Sequence, residues 1–484
     1  MRGNERRTAR TLLVAVGAGS VALQWLLLSI HRAVSWDEAV YLSQVTPGMR
    51  AMPFVASRAR GITLLVWPVV RLGGSLVVVR LVLSIASGLA LVAAFAAWLP
   101  LIGVAAPLAA FAFGSTWLAL LYGSEVMPNL WTALIAVGAI GVAARALADP
   151  APARWIVPMA AGLLALLCLF RPPDGVPVLA AILVAAVGTG VGFRRAALLA
   201  AGLVAGWIPW IVEMSVRFGG PLDAIRRAQD AAHVGTSSIG SRIVQHLALS
   251  NDPTLGPSDD PHIAIGGVVW WAALLVLAGA GLASERGTPR FRPLLAATIA
   301  GLGLAAEYLL LVEGLAPRFL LPSYALLSIP SAVGLLAVVR RLRSPAARVA
   351  FVAVVAVPWL VWQVGTADRI EAQTEESRVS LRQVGLVLAE EAGGRPCAFA
   401  STDGFPQIEY VSGCVGRTLG SDPSPVVAAL EDAAARGDRV FLVLRSPPPP
   451  ATPRSSPEAL RTVPAPRGQA WYLYELVPHG SVAT

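Results

Sequence analysis

Apolar runs of about twenty residues recur along most of this 484-residue chain, and that repetition decides its class. A bilayer core about 30 Å thick is crossed by roughly 20 apolar residues in a helix. The composition agrees, with 56% hydrophobic and 14% charged residues, against about 25% charged in a soluble globular domain. Eleven runs fit as spans, near 11–31, 76–98, 101–121, 128–147, 155–171, 175–193, 196–215, 263–283, 293–312, 320–339 and 349–366. The expected fold class is a polytopic α-helical membrane protein with about eleven transmembrane helices. "GITLLVWPVVRL" is too short for a comfortable span and reads as an interfacial helix. No internal repeat is evident.

Charge orients the spans. The formal charge is +9, and all 38 basic residues are arginine. With many alanines and glycines, that is what a GC-rich genome encodes, and the expected location is a bacterial plasma membrane. A basic balance also suits nucleic acid, but these arginines are spread through short loops between apolar runs. Positive-inside topology explains that distribution better. With the N-terminus cytoplasmic, "MRGNERRTAR", "RALADPAPAR", "FRR", "SERGTPRFR" and "RRLRSPAAR" lie inside and carry 15 arginines. The first run has no convincing small-residue cleavage site after it and reads as a retained helix.

Three larger segments then lie outside: residues 32–75, residues 216–262, and a tail from Ala367 onward. The domain reading is a transmembrane part over 1–366 and an extracytoplasmic α/β domain over 367–484. In the tail, "RPCAFAST", "DRVFLVLRS" and "AWYLYELV" read as short strands. "SPVVAALEDAAARG" reads as a helix opened by Ser-Pro and stopped by Gly437, and the Pro-rich "SPPPPATPRSSP" as irregular. The tail carries 11 arginines against 14 acids. Cys397 and Cys414 both fall in it, and a disulfide is open to them if it faces an oxidising compartment. Cys168 lies inside an apolar run and reads as a small core residue.

The first outer segment opens with "SWDEAVYL". Ser35 and Glu38 have capping-box spacing, in which each side chain satisfies a free amide at a helix start. That accounts for Glu38 and leaves Asp37 unexplained, since an acid in the first turn gains only about 0.3–1 kcal/mol from the helix dipole. The functional reading makes "WDEAVYLSQ" a lid helix holding Asp37 at the mouth of a cavity. A carboxylate there takes a proton from a hydroxyl; alternatively, Asp37 and Glu38 hold a divalent cation through oxygen ligands. Glu213 and Glu307 lie in or near apolar runs, where ionisable groups usually face a cavity or pair. His233 and His246 lack a third ligand at metal spacing. "GGPLDAIRRAQDAAHVG" reads as an amphipathic helix covering the cavity.

A basic N-terminus, one span and then "WDEAVYL" in a long outer loop resemble the GT-C glycosyltransferases, in particular the protein mannosyltransferase and aminoarabinose transferase branch, glycosyltransferase family 39. "RGITLLVWPVVRLGGSLVVVRL", "SEVMPNLWTAL", "FRPPDGVPVL" and "APRFLLPSYALLSIP" follow in that family's order over residues 1–340. The resemblance implies an inverting sugar transferase that uses a polyprenyl-phosphate sugar donor and a hydroxyl acceptor on protein, lipid or polysaccharide. It implies Asp37 as catalytic base with Glu38 beside it, Glu125 as an acceptor-binding or orienting carboxylate, and no metal or other cofactor. Its anionic leaving group calls for outer arginines, and Arg58, Arg60, Arg171 and Arg318 all lie at membrane–outer boundaries. Guanidinium suits phosphate through its bidentate fork. Two other classes remain: a transporter or lipid flippase, which usually shows repeats and charges at the midplane, and a non-catalytic assembly or sensing protein working through its tail.

Overall fold

A computed structural model describes residues 3–148, 152–187, 193–232, 238–250, 261–312, 314–420, 423–445, 460–465 and 469–476. The expectations for His233 and for the Pro-rich connection fall outside them. The helices run in the order α1 (Gly3–Leu27), α2 (Trp36–Ser43), α3 (Gly61–Arg71), α4 (Leu76–Ala96), α5 (Leu99–Ile102), α6 (Ala105–Gly114), α7 (Trp117–Gly123), α8 (Asn129–Ala148), α9 (Ile156–Phe170) and α10 (Gly175–Ala186). They continue with α11 (Phe193–Phe218), α12 (Pro221–Ala232), α13 (Ile239–Leu249), α14 (Ile265–Ser284), α15 (Phe291–Ala306), α16 (Leu321–Arg340), α17 (Pro345–Ala392), α18 (Phe405–Ser412) and α19 (Ser424–Ala435).

Among the described residues eight helices are long and apolar enough to cross a membrane, and α6 with α7 make a ninth if that pair, bent by 74°, is one span. The break has a local cause. The Thr116 hydroxyl accepts from the Ala119 amide and starts α7 afresh, while Gln363 accepts from the Trp117 amide. The runs expected at 155–171 and 175–193 are α9 and α10, of 15 and 12 residues. "GITLLVWPVVRL" forms the short α3, and the described residues of the 216–262 segment hold two helices, α12 and α13, where only the first was expected.

The chain divides into two compact units. The first comprises Met1–Ile30, Val55–Val66 and Val77–Glu371. Its helices approach through glycine. A methyl group at Gly202 or Gly206 of α11 would run into the carbonyls of Ala161 and Ala165 on α9, and one at Gly281 or Gly334 into the facing backbones of α16 and α14. Without a hydrophobic force between helices in lipid, such close backbone contact supplies much of the association. Gly334→Val should therefore cost about 1–3 kcal/mol of stability, as overpacked cores do. Thermal unfolding of the detergent-purified variant checks this, and an unchanged midpoint would contradict it. Buried polar residues stitch the remaining seams: Ser84 donates to Gln24 Oε1 (2.9 Å), and Gln24 donates to Ser87 (3.2 Å).

The second unit comprises His31–Phe54, Trp67–Leu76 and Ala372–Thr484. It differs from the expected 367–484 domain in two ways. The first outer segment contributes α2 to it, and the last expected span does not stop at residue 366 but continues, through Pro358, Gly365 and Gly385, as the 48-residue α17, followed by Gly393 at φ 60°. The sheet has the order β2-β1-β3-β5-β4, built from β1 (Cys397–Ser401), β2 (Val415–Thr418), β3 (Arg439–Leu444), β4 (Arg461–Pro464) and β5 (Ala470–Glu475). β2, β1 and β3 are parallel, and β5 runs antiparallel to both β3 and β4. Leu381, Val384 and Leu388 of α17 and Ile408 of α18 cover one face, with Phe399, Phe441 and Trp471 beneath them. Leu430 and Ala433 of α19 cover the other, over Ala398, Ala400, Val440 and Leu442. Cys397 and Cys414 are joined by a disulfide.

Candidate active site

Within the first unit, charged and aromatic groups collect at one end of the bundle. Arg171 follows the last residue of α9, in extended backbone that a following proline favours. The turn Arg171–Asp174 leads into α10, with the Pro172 carbonyl accepting from the Trp207 indole at 2.8 Å. Asp174 is fully buried, 3.4 Å from Arg171 Nε, and its Oδ1 accepts from the Tyr308 hydroxyl at 2.5 Å. A buried carboxylate is tolerated only when paired and hydrogen-bonded; both partners meet that need at Oδ1, while the buried Oδ2 has no hydrogen-bond partner among the described residues.

Tyr308 lies in a π-helical turn, Glu307–Leu311, that ends α15, where the Val312 amide donates to the Glu307 carbonyl at 3.1 Å. Such insertions are frequent at functional sites. The Tyr308 ring stacks on Phe319 with centroids 5.2 Å apart. The Arg171 guanidinium lies over both rings, 5.0 Å from Tyr308 and 5.4 Å from Phe319, and that of Arg318 lies 5.3 Å from Phe319. Two arginines thus share one aromatic ring.

Arg60 joins the same end. It precedes Gly61, which is pressed so closely on Phe170 that a Cβ would collide with the ring, and Phe170 adjoins Arg171. Arg60 grips Glu213 through two nitrogens, Nε donating to Oε2 at 3.0 Å, and Arg217 also reaches Glu213 at 3.0 Å. Glu213 is thereby paired by two arginines. Arg58 is half-buried, its amide donating to the Val55 carbonyl at 3.0 Å. Glu125 is buried in the turn between α7 and α8, both of which pack against the 3-10 turn Pro317–Leu320 that carries Arg318.

The structure thus brings Arg60, Arg171, Arg318, Glu125, Glu213 and Glu307 to one end of the bundle. Three residues of this end were not singled out from sequence: Asp174, Tyr308 and Phe319. Each sits within three positions of a residue that was, and the i, i+3 spacing of Arg171 and Asp174 was the readable signal.

α13 packs on the π-helical turn, with Arg242 donating to the Leu310 carbonyl at 3.0 Å. One helical turn further, His246 is 1% exposed, and burial holds its imidazole down to about 4 from an ordinary 6.5. A histidine kept neutral by the fold contributes stability above pH 6.5 that is lost as pH falls toward 4. His246→Gln should therefore flatten the acid side of the stability profile between those values, read as thermal midpoint against pH. An unchanged slope would remove His246 from that account.

Asp37 and Glu38 belong to the second unit. Ser35 caps α2: its hydroxyl accepts from the Glu38 amide (3.4 Å) while Glu38 Oε2 accepts from the Ser35 amide (3.0 Å). Glu38 is fully buried in that role, and Asp37, one position earlier, is half-exposed. Among the described residues no three His, Cys, Asp or Glu side chains gather as a metal site would need.

No protein-family model matches the chain, and no curated protein matches its sequence. Solved structures do. ArnT from Cupriavidus metallidurans, bound to undecaprenyl phosphate, superposes with a TM-score of 0.66 at 15% identity over 97% of this chain and 98% of that one. The Archaeoglobus fulgidus oligosaccharyltransferase, tethered to an acceptor peptide containing the NVT sequon, gives 0.59 at 14% identity over 90% and 68%. The fold is GT-C. A third structure, the oligosaccharyltransferase AglB from A. fulgidus with an inhibitory peptide and a dolichol-phosphate, gives 0.53 at 13% identity over 90% and 69%. The GT-C likeness to ArnT runs the length of both chains, so it includes the tail for which the sequence offered no resemblance.

Proposed function

We propose that this chain is a membrane glycosyltransferase that moves a sugar from a polyprenyl-phosphate donor to a hydroxyl acceptor on the extracytoplasmic face. The observation that carries the reading is the end of the GT-C bundle where Arg171 and Arg318 share the Phe319 ring. ArnT bound to undecaprenyl phosphate and AglB with a dolichol-phosphate support the donor class. Charges gathered at one end also suit an enzyme better than a transporter, whose sites lie near the midplane.

In the proposed reaction Asp37 takes the acceptor's hydroxyl proton, and the freed oxygen attacks the anomeric carbon. The bond from that carbon to the phosphate oxygen breaks with inversion, and polyprenyl phosphate leaves with the electron pair. Guanidinium groups of Arg171 and Arg318 stabilise the growing phosphate charge, as fixed donors aimed at developing charge do. Arg60 contributes through the same field, and Glu125 orients the acceptor. No metal is required by these roles. Incubating the purified full chain with labelled polyprenyl-phosphate mannose and arabinose tests this directly. Release of polyprenyl phosphate with transfer of label is expected, and turnover of neither donor counts against the reading.

A further inference from the structure

Several buried side chains of the first unit keep a polar atom with no hydrogen-bond partner among the described residues, and three of these atoms converge: Asn129 Nδ2, Asp174 Oδ2 and Ser323 Oγ. The three residues are 1%, 0% and 2% exposed. Buried polar groups are almost always hydrogen-bonded, so each exception calls for a cause.

Their convergence follows from the helix packing. α8 and α15 pack on each other, and each also packs on α10 and α16. Asn129 is the first residue of α8, Asp174 caps the start of α10, and Ser323 is the third residue of α16. α15 runs the other way and ends in the turn that carries Tyr308. One level holds all four. Tyr308 donates to Asp174 and stacks on Phe319, while the 3-10 turn that carries Phe319 packs on α8 and leads straight into α16. Ligand sites inside helical bundles are built this way, from side chains that face one another across the core.

We infer that Asn129, Asp174 and Ser323 read the hydroxyls of the donor's sugar, and that this sugar is uncharged, an inference that rests on the glycosyltransferase reading above. The three atoms differ in what they accept. Asn129 Nδ2 only donates, the Asp174 carboxylate only accepts, and the Ser323 hydroxyl does both. A phosphate oxygen placed here would face Asp174 as a like charge. An ammonium only donates and would leave the Asn129 amide unpaired. A sugar ring with neighbouring hydroxyls satisfies all three. The donor's sugar is favoured over the acceptor's because it hangs directly on the phosphate. Arg171 and Arg318 both cover Phe319, which lies about one helical turn before Ser323.

The test measures binding of polyprenyl-phosphate mannose, polyprenyl-phosphate arabinose and bare polyprenyl phosphate to the detergent-purified full chain. At least one sugar-linked carrier should bind. Its affinity relative to the bare carrier should fall roughly threefold to tenfold in each of Asn129→Leu and Ser323→Ala, as loss of one hydrogen bond gives. Affinity for the bare carrier should not move. The thermal midpoint should hold or rise, because each variant removes a buried polar atom that no protein group pairs. A merely structural role would instead lower the midpoint and weaken all three ligands together, which overturns the inference. An unchanged ratio in either variant also overturns it, leaving that atom to water. So does loss of methyl mannoside or methyl arabinoside binding with donor binding intact, which moves the site to the acceptor. A chain that binds the bare carrier but neither sugar-linked one defeats this inference alone. One that shows the expected binding pattern yet transfers no sugar defeats the enzyme reading alone.

Discussion

Asp37→Asn should leave the protein folded and reduce sugar transfer by about 10²–10⁴-fold, the usual contribution of a positioned base. The amide has the same shape, and the Ser35–Glu38 cap of α2 does not involve it. The fold loses a favourable first-turn charge, worth about 0.3–1 kcal/mol. Transfer rates with a labelled donor, beside gel-filtration profile and thermal midpoint, separate the two effects. Glu38→Gln gives the contrast. Glutamine serves a capping box as glutamate does, so this variant should keep most of its activity. Near-normal turnover by Asp37→Asn would end the assignment, and a dead Glu38→Gln beside it would move the base by one residue.

How much of this was readable beforehand follows from what each signal depends on. The spans were legible because a bilayer imposes one period and one polarity, and the expected runs coincide with helices, of which eight or nine among the described residues are long and apolar enough to cross. The break inside 101–121 was not, because Ser115 and Thr116 are small enough to pass within an apolar run, and only the buried Gln363 reveals the use made of the freed amide. The three stronger strands of the tail were visible through their β-branched and aromatic residues. β2 ("VGRT") and β4 ("RTVP") are four residues each, with too little pattern to stand out. At the candidate site the arginines announced themselves as charges away from the short loops that the positive-inside rule accounts for. Asp174 and Tyr308 did not, since their importance comes from pairing across 134 residues of sequence. Nor does any local pattern say that α2 packs with α18.

That pairing sets the second large effect. Arg171→Ala removes the partner of a fully buried carboxylate, and breaking a buried pair this way typically costs about 3–5 kcal/mol. A loss of activity in that variant would then say nothing about phosphate. Adding Asp174→Asn should restore most of the stability, because no uncompensated charge remains and the Tyr308 hydroxyl can still donate to the amide oxygen. The double variant isolates the proposed role. If Arg171 holds the donor's phosphate, its charge-assisted bonds are worth about 1.5–3 kcal/mol, so binding of polyprenyl phosphate should fall by roughly ten- to a hundredfold in a protein that is again well folded. Arg318→Ala removes the guanidinium stacked on Phe319 and should lower phosphate binding as well. Wild-type affinity in the stabilised double variant would leave Arg171 as the counterion of Asp174 and nothing more, and would shift the phosphate role onto Arg318 and Arg60.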